Sequence, residues 1–210
     1  MDKAINLTQI TGIILAGGRG SRMGGVDKGL QLFNGTTLIQ HAIHRLQPQV
    51  GQLLINANRH LEMYQALGLP VLADDLADFA GPLAGFLVGL THCQTPYLVT
   101  APCDTPCFPT DLVDRLATAL AAANADIAMV SSPDMGGVLV HQPVFCLLKR
   151  ELLASLQTFT SDGGRKIGAW AAQHTLVRVP FNLPHDRQDA FYNANTSADL
   201  LQLEASLTLT

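Results

Sequence analysis

The sequence predicts an α/β protein with a single-domain, Rossmann-like, doubly wound sheet, mostly parallel and carrying an antiparallel strand pair. Three observations carry that expectation. Short apolar runs suited to buried strands alternate with segments of helical periodicity. A dense cluster of glycines follows the first such run, at the strand end where open α/β sheets bind ligands. Hydrophobic residues make up 48% of the 210 residues and charged residues 14%, a balance that suits a buried sheet flanked by helices and one domain over residues 1–210.

In chain order, Ile10, Ile13 and Ile14 lead into Leu15 as the first buried strand. The stretch from Leu15 to Lys28 then holds Gly17, Gly18, Gly20, Gly24 and Gly25 with Arg19, Arg22 and Lys28, the composition of a phosphate cradle. Backbone free of Cβ atoms approaches a ligand closely, its N–H groups converge on anionic oxygens, and the basic side chains add charge. Two other glycine motifs are excluded. Met23 stands where a dinucleotide fingerprint needs its third glycine, and Gly25 is followed by Val26 rather than the Lys of a P-loop.

Leu38, Ile39, Ala42, Ile43 and Leu46 have helical spacing within a helix expected over Thr37 to Gln47. A strand over Gln52 to Ala57, a helix over Arg59 to Leu67 and a short strand at Val71 and Leu72 follow. Asp74, Asp75 and Asp78 precede Gly81-Pro82, where Pro82 opens the next helix and Gly81 leaves room for a flat base against the backbone. Tyr97 to Thr100 is a buried strand that runs into Ala-Pro-Cys-Asp-Thr-Pro. Thr110 is expected to cap a helix with Leu112, Val113, Leu116 and Leu120 on its core face. Asp126 to Val130 and Gly137 to Leu147 read as the antiparallel pair. Helices over Glu151 to Thr158 and Lys166 to His174, a strand over Leu176 to Val179 and a last helix opened by Thr196 and Asp199 complete the chain.

Several function classes are set aside. A net charge of −4 offers no basic field to a nucleic-acid backbone. No run reaches the ~20 apolar residues of a membrane span, and the first residues lack the pattern of a signal peptide, so a cytoplasmic protein is expected. Cys93, Cys103, Cys107 and Cys146 read as packing residues, and His41 and His44 as a solvated or capped pair. His141 reads as an edge-strand residue with its polar tip in solvent. Arg165 and Lys166 after Gly163-Gly164 read equally as a phosphate site or a solvated helix start.

Leu-Ala-Gly-Gly at 15–18, Arg-Met-Gly at 22–24 and Lys28 together resemble the signature of nucleotidylyltransferases, with a fold like the nucleotide-diphospho-sugar transferases. With Gly-Pro-Leu-Ala-Gly at 81–85, Pro-Cys-Asp-Thr-Pro at 102–106 and Phe-x-Asn-x-Asn-Thr at 191–196, the chain is most similar to the molybdenum cofactor guanylyltransferase family, the MobA-like nucleotidylyltransferases. The resemblance implies GTP and Mo-molybdopterin as substrates and Mg²⁺ as cofactor, and allows transient contact with molybdoenzymes or cofactor-synthesis proteins. It implies Lys28 and Asp104 as catalytic residues, with Asp104 the metal ligand. It implies nucleotide contacts from Leu15, Ala16, Gly17, Lys28, Asn56, Asp74 and Asp104, with Gly18, Arg22, Gly25 and Gly81 as further candidates. Asn193 and Asn195 are pterin-substrate candidates.

For several of these residues a second reading stays open. Asn56 and Asp74 are also ordinary strand-end and turn residues, Asp104 suits a turn between two prolines, and Arg22 serves equally in a structural salt bridge. A molybdopterin cytidylyltransferase or sugar-phosphate nucleotidylyltransferase would keep the loop and the metal Asp, and a non-catalytic GTP-responsive module for cofactor delivery would keep the cradle alone.

Overall fold

A computed structural model describes residues 4–17, 27–74, 81–134 and 136–208. Seven strands form one sheet in the order β5-β4-β1-β6-β8-β7-β9, with β1 spanning Ile10–Leu15, β4 Gln52–Asn56, β5 Val71–Leu72, β6 Tyr97–Pro102, β7 Ile127–Pro133, β8 Leu139–Lys149 and β9 Leu176–Pro180. All pairings are parallel except those of β8, which runs antiparallel to both β6 and β7. The antiparallel pair expected from the sequence is β7 with β8. A two-stranded hairpin, β2 (Leu32–Phe33) with β3 (Thr36–Thr37), turns through Asn34 and Gly35, both at positive φ.

The strands alternate as their residues dictate. Ile10 and Ile14 of β1, Leu53 and Ile55 of β4 and Val99 of β6 face one core layer, shared with α1 (Leu38–Leu46) and α4 (Leu112–Ala122). Ile13, Leu54 and Leu98 face the other, against α3 (Pro82–His92), α5 (Leu153–Ser161) and α6 (Ile167–Ala171). Helices on both faces make the sheet doubly wound. Trp170 is fully buried in the second layer with Ile167, as its apolar spacing implies, and all four cysteines are buried thiols. A smaller cluster of Phe33, Leu38, Cys107, Ala194, Leu200 and Leu203 ties the last helix, α7 (Ser197–Thr208), to the hairpin and to the segment after β6.

Some boundaries differ from the sequence reading. The helix expected from Thr110 has Asp111 as its N-cap, without a side-chain cap bond, and Asp111 lies 3.7 Å from Arg115 instead. The remaining short helix, α2, covers only Leu61–Gln65, and α6 stops at Ala171. Strand β8 lies inside the sheet, yet His141 is exposed, beyond the residues paired with β6, with Nδ1 3.2 Å from the Ser131 hydroxyl.

Candidate active site

Parallel register brings the functional segments to one edge. Leu15, the last residue of β1, lies beside Asn56 on β4 and Pro102 on β6, so three strands end level. From β1 the chain moves outward to β4 and β5 and then returns to the other side of β1 as β6. That reversal opens the crevice in which doubly wound folds bind ligands.

One group of side chains stands at the β1/β4 end. Ala16 donates its N–H to the Asn56 carbonyl at 2.8 Å, which starts the glycine loop directly above β4. Asn56 is buried, and its Nδ2 donates to Asp74 Oδ1 at 2.8 Å and to the Leu72 carbonyl at 3.2 Å. Asn58 Nδ2 donates to Asp74 Oδ2 at 2.7 Å, while the Asp74 N–H donates back to Asn58 Oδ1 at 2.7 Å. A carboxylate offers about four lone-pair sites, so these two bonds orient Asp74 and leave acceptor capacity for a ligand. A Cβ on Gly17 would sit 3.2 Å from Asn56 Oδ1, and one on Gly85 2.7 Å from the same atom. Gly85 therefore lets α3 close on the sheet edge. Gly81 caps α3 at φ 149°, a conformation in which side chains are strained, and among the described residues nothing lies within 4 Å of its Cβ position.

The second group stands at the β1/β6 crevice. Lys28 Nζ lies 3.3 Å from Asp104 Oδ2 and donates to Asn195 Oδ1 at 2.7 Å. These three residues come from three distant segments. The segment before α7 is fastened across the end of β6: Ala194 N–H donates to the Asp104 carbonyl at 2.8 Å, and the buried Thr105 hydroxyl donates to Asn193 Oδ1 at 2.6 Å. Asp199 accepts from the N–H groups of Asn195 and Thr196 at 2.9 and 2.8 Å, while Thr196 Oγ1 accepts from the Asp199 N–H at 3.1 Å. This is the capping box that Thr196 and Asp199 spell in sequence.

Beneath Lys28, the buried Asp27 accepts from the Tyr64 hydroxyl at 2.6 Å. Burial, the neighbouring Cys103 and the bond to Asp27 push the Tyr64 hydroxyl far above its usual titration range, so it stays a donor. Burial likewise keeps the Cys103 thiol protonated. Asp104 has the chemistry of a Mg²⁺ ligand: a hard oxygen donor, its side chain 20% exposed, with the Lys28 ammonium 3.3 Å away. Among the described residues no three or more His, Cys, Asp or Glu side chains stand together as a metal cluster.

Of the residues expected from sequence, Lys28, Asp104 and Asn195 meet, Asn56 and Asp74 meet, and Leu15, Ala16 and Gly17 connect the two groups. Asn193 is bonded to Thr105 rather than to Lys28. Gly18, Arg22 and Gly25, with the rest of the cradle at 18–26, lie outside the described residues, as do Asp75 and Asp78. Arg165 Nη1 donates to the Gly164 carbonyl at 3.1 Å, at the start of a five-residue helix. Asn58, Asp27, Tyr64 and Thr105 escape the sequence reading. Asn58 was accessible from its place two residues beyond Asn56, and Asp27 from its place as a turn cap before Lys28-Gly29.

Residues 15–17 at the end of β1, an amide-carboxylate group on one side and a lysine-carboxylate pair on the other define the class: an α/β protein with a polar, charged crevice at its strand ends. The model of the MobA-like NTP transferase domain matches residues 12–177. The molybdenum cofactor guanylyltransferase of Albidiferax ferrireducens is 63% identical over 201 residues, covering 93% of this chain and 95% of that protein. A protein of the same name from an Acidovorax species is 59% identical, covering 95% and 97%. The chain belongs to the MobA-like NTP transferase family, among its molybdenum cofactor guanylyltransferases. The fold is shared with the crystal structure of molybdopterin-guanine dinucleotide biosynthesis protein A from Archaeoglobus fulgidus, at TM-score 0.76 and 20% identity over 95% of this chain and all of that one.

Proposed function

We propose that this chain, acting as one nucleotidyltransferase domain over residues 1–210, transfers GMP from GTP to the terminal phosphate of Mo-molybdopterin, releasing pyrophosphate. The observation that carries the reading is the meeting of Lys28 and Asp104 at the β1/β6 crevice, beside a strand end that also presents Asn56 and Asp74. The near full-length similarity to molybdenum cofactor guanylyltransferases selects the acceptor. Among the described residues no helix is long and apolar enough to cross a membrane, and the proposed site of action is the cytoplasm.

The acceptor phosphate has its second pKa near ~6, so its oxygen is largely ionised at neutral pH and the site needs no general base. That oxygen attacks the α-phosphorus of GTP. A new P–O bond forms as the bond to the α,β-bridging oxygen breaks, and its electron pair leaves with pyrophosphate. The chain's task is alignment and charge stabilisation. The Lys28 ammonium, which donates to Asn195 Oδ1, would neutralise phosphate oxygens. Asp74, oriented by Asn56 and Asn58, offers acceptors to the N1–H and N2–H₂ donors of guanine. Asp104 is the residue that would hold Mg²⁺, which supplies further neutralisation of the phosphates when bound. Asn193 and Asn195 would border the pterin substrate.

The test is pyrophosphate release from the purified chain given GTP and Mo-loaded molybdopterin, with acceptor-free and metal-chelated controls. Release that requires both acceptor and Mg²⁺ supports the reading. GTP binding with no release under any condition would instead favour a delivery module.

A further inference from the structure

Lys28 opens a single 3-10 turn, Lys28–Leu30, that leads into the β2–β3 hairpin. A turn of three residues has few internal bonds, so its position depends on what holds it from outside. Asp27 caps it, with Oδ1 accepting from the Gly29 N–H at 3.1 Å. The same Oδ1 accepts from the Tyr64 hydroxyl at 2.6 Å. Asp27 is 7% exposed and Tyr64 0%, so water does not stand in readily for that bond. The hydroxyl also occupies the space beside Gly29: a Cβ there would collide with it and would lie 3.4 Å from Cys103 Sγ. Cys103 immediately precedes Asp104. Tyr64, on α2, thus wedges the turn that carries the ammonium against the strand end that carries the carboxylate.

We infer that Tyr64 is a positioning residue for nucleotidyl transfer, its hydroxyl acting through Asp27 to set where the Lys28 ammonium stands relative to Asp104. The inference rests on the proposed role of Lys28. Tyr64 is fully buried and has no face for substrate, so its influence passes through the turn. Misplacement of a reacting or stabilising group by about 1 Å costs up to ~10²-fold in rate, and Tyr64→Phe, which removes one oxygen and leaves the Gly29 cap in place, is expected to cost about tenfold.

The experiment is a double-mutant cycle on the full chain, using Tyr64→Phe, Lys28→Ala and the double variant, with pyrophosphate release from GTP and Mo-loaded molybdopterin as readout. Tyr64→Phe is expected to lower kcat about tenfold with KM for GTP within about twofold, and to have no further effect when Lys28 is absent. A kcat within about twofold of wild type, or an equal loss with and without Lys28, overturns the inference, the latter because it marks a general loss of structure. If Tyr64→Phe does not fold, Asp27→Ser replaces it in the cycle: serine keeps a capping oxygen for Gly29 but is too short to hold Tyr64, and the same loss confined to the Lys28 background is expected. If Lys28→Ala turns over like wild type, the role proposed for Lys28 fails and this inference with it. A Lys28-dependent reaction indifferent to Tyr64 defeats the inference alone.

Discussion

Lys28→Ala separates catalysis from stability, because the structure bounds the two effects differently. The Lys28 and Asp104 side chains are 26% and 20% exposed and their charges lie 3.3 Å apart. A pair so open to solvent contributes at most about 1 kcal/mol. In a chain of 210 residues that corresponds to a fall in Tm of about 2–4 °C. Deleting one strong transition-state donor costs ~10²–10³ in rate, or about 2.7–4 kcal/mol of barrier. The expected variant is therefore folded, within a few degrees of wild type, and slower by two to three orders of magnitude (~10²–10³). Continuous pyrophosphate detection with saturating GTP and acceptor, beside a thermal unfolding scan, reads both quantities on one preparation. Turnover within about threefold of wild type by a folded Lys28→Ala protein would refute the assignment.

Asp74→Ala removes the acceptor shared by Asn56 and Asn58. It is expected to raise KM for GTP about tenfold with a smaller fall in kcat, as loss of a ground-state contact does; steady-state titration of GTP checks it. Arg115 donates to both oxygens of Asp186, a side chain 5% exposed, and its guanidinium carbon lies 3.6 Å from the Phe181 ring centroid. Arg115→Ala leaves that carboxylate without its guanidinium partner, with the Leu183 N–H still donating to it, and urea unfolding should show a loss of about 3 kcal/mol. Asp126 is held down to about pKa 2 by the Thr175 hydroxyl and by Lys149. Its folded pKa lies below the unfolded value, so its stabilising contribution is complete above about pH 4 and is lost as pH falls towards 2. Asp126→Asn should flatten the pH dependence of unfolding in that interval and leave the slope above pH 5 unchanged.

The fold was legible where one physical rule governs a local stretch. The isoleucines of β1 alternate between two core layers, and Pro82 opens α3 at its first position, as spacing and a fixed φ require. Asn34-Gly35 is a strong short hairpin signal, but the strands on either side are two residues each and carry no periodicity to support it. Thr110 has the chemistry of a cap, but the helix starts at Leu112 behind Asp111, a one-residue difference of the size by which helix ends fray.

For the candidate site the sequence offered residues but not their arrangement. Lys28 meets Asn195 across 167 positions, and Tyr64 meets Asp27 across 37. No local pattern encodes such partners. Tyr64 in particular reads as one more core residue of α2, and only its hydroxyl, fixed on a buried carboxylate, distinguishes it.

Guanylyl transfer is read without intermediaries by following the label of α-³²P nucleotides into molybdopterin. The chain is incubated with Mo-loaded molybdopterin, Mg²⁺ and either labelled GTP or labelled CTP, and the product is isolated. A labelled dinucleotide is expected with GTP, with one pyrophosphate released for each label transferred, and none of it from Lys28→Ala on the same timescale. Transfer from CTP in preference to GTP, or label that never leaves bound GTP while the acceptor is present, would contradict it.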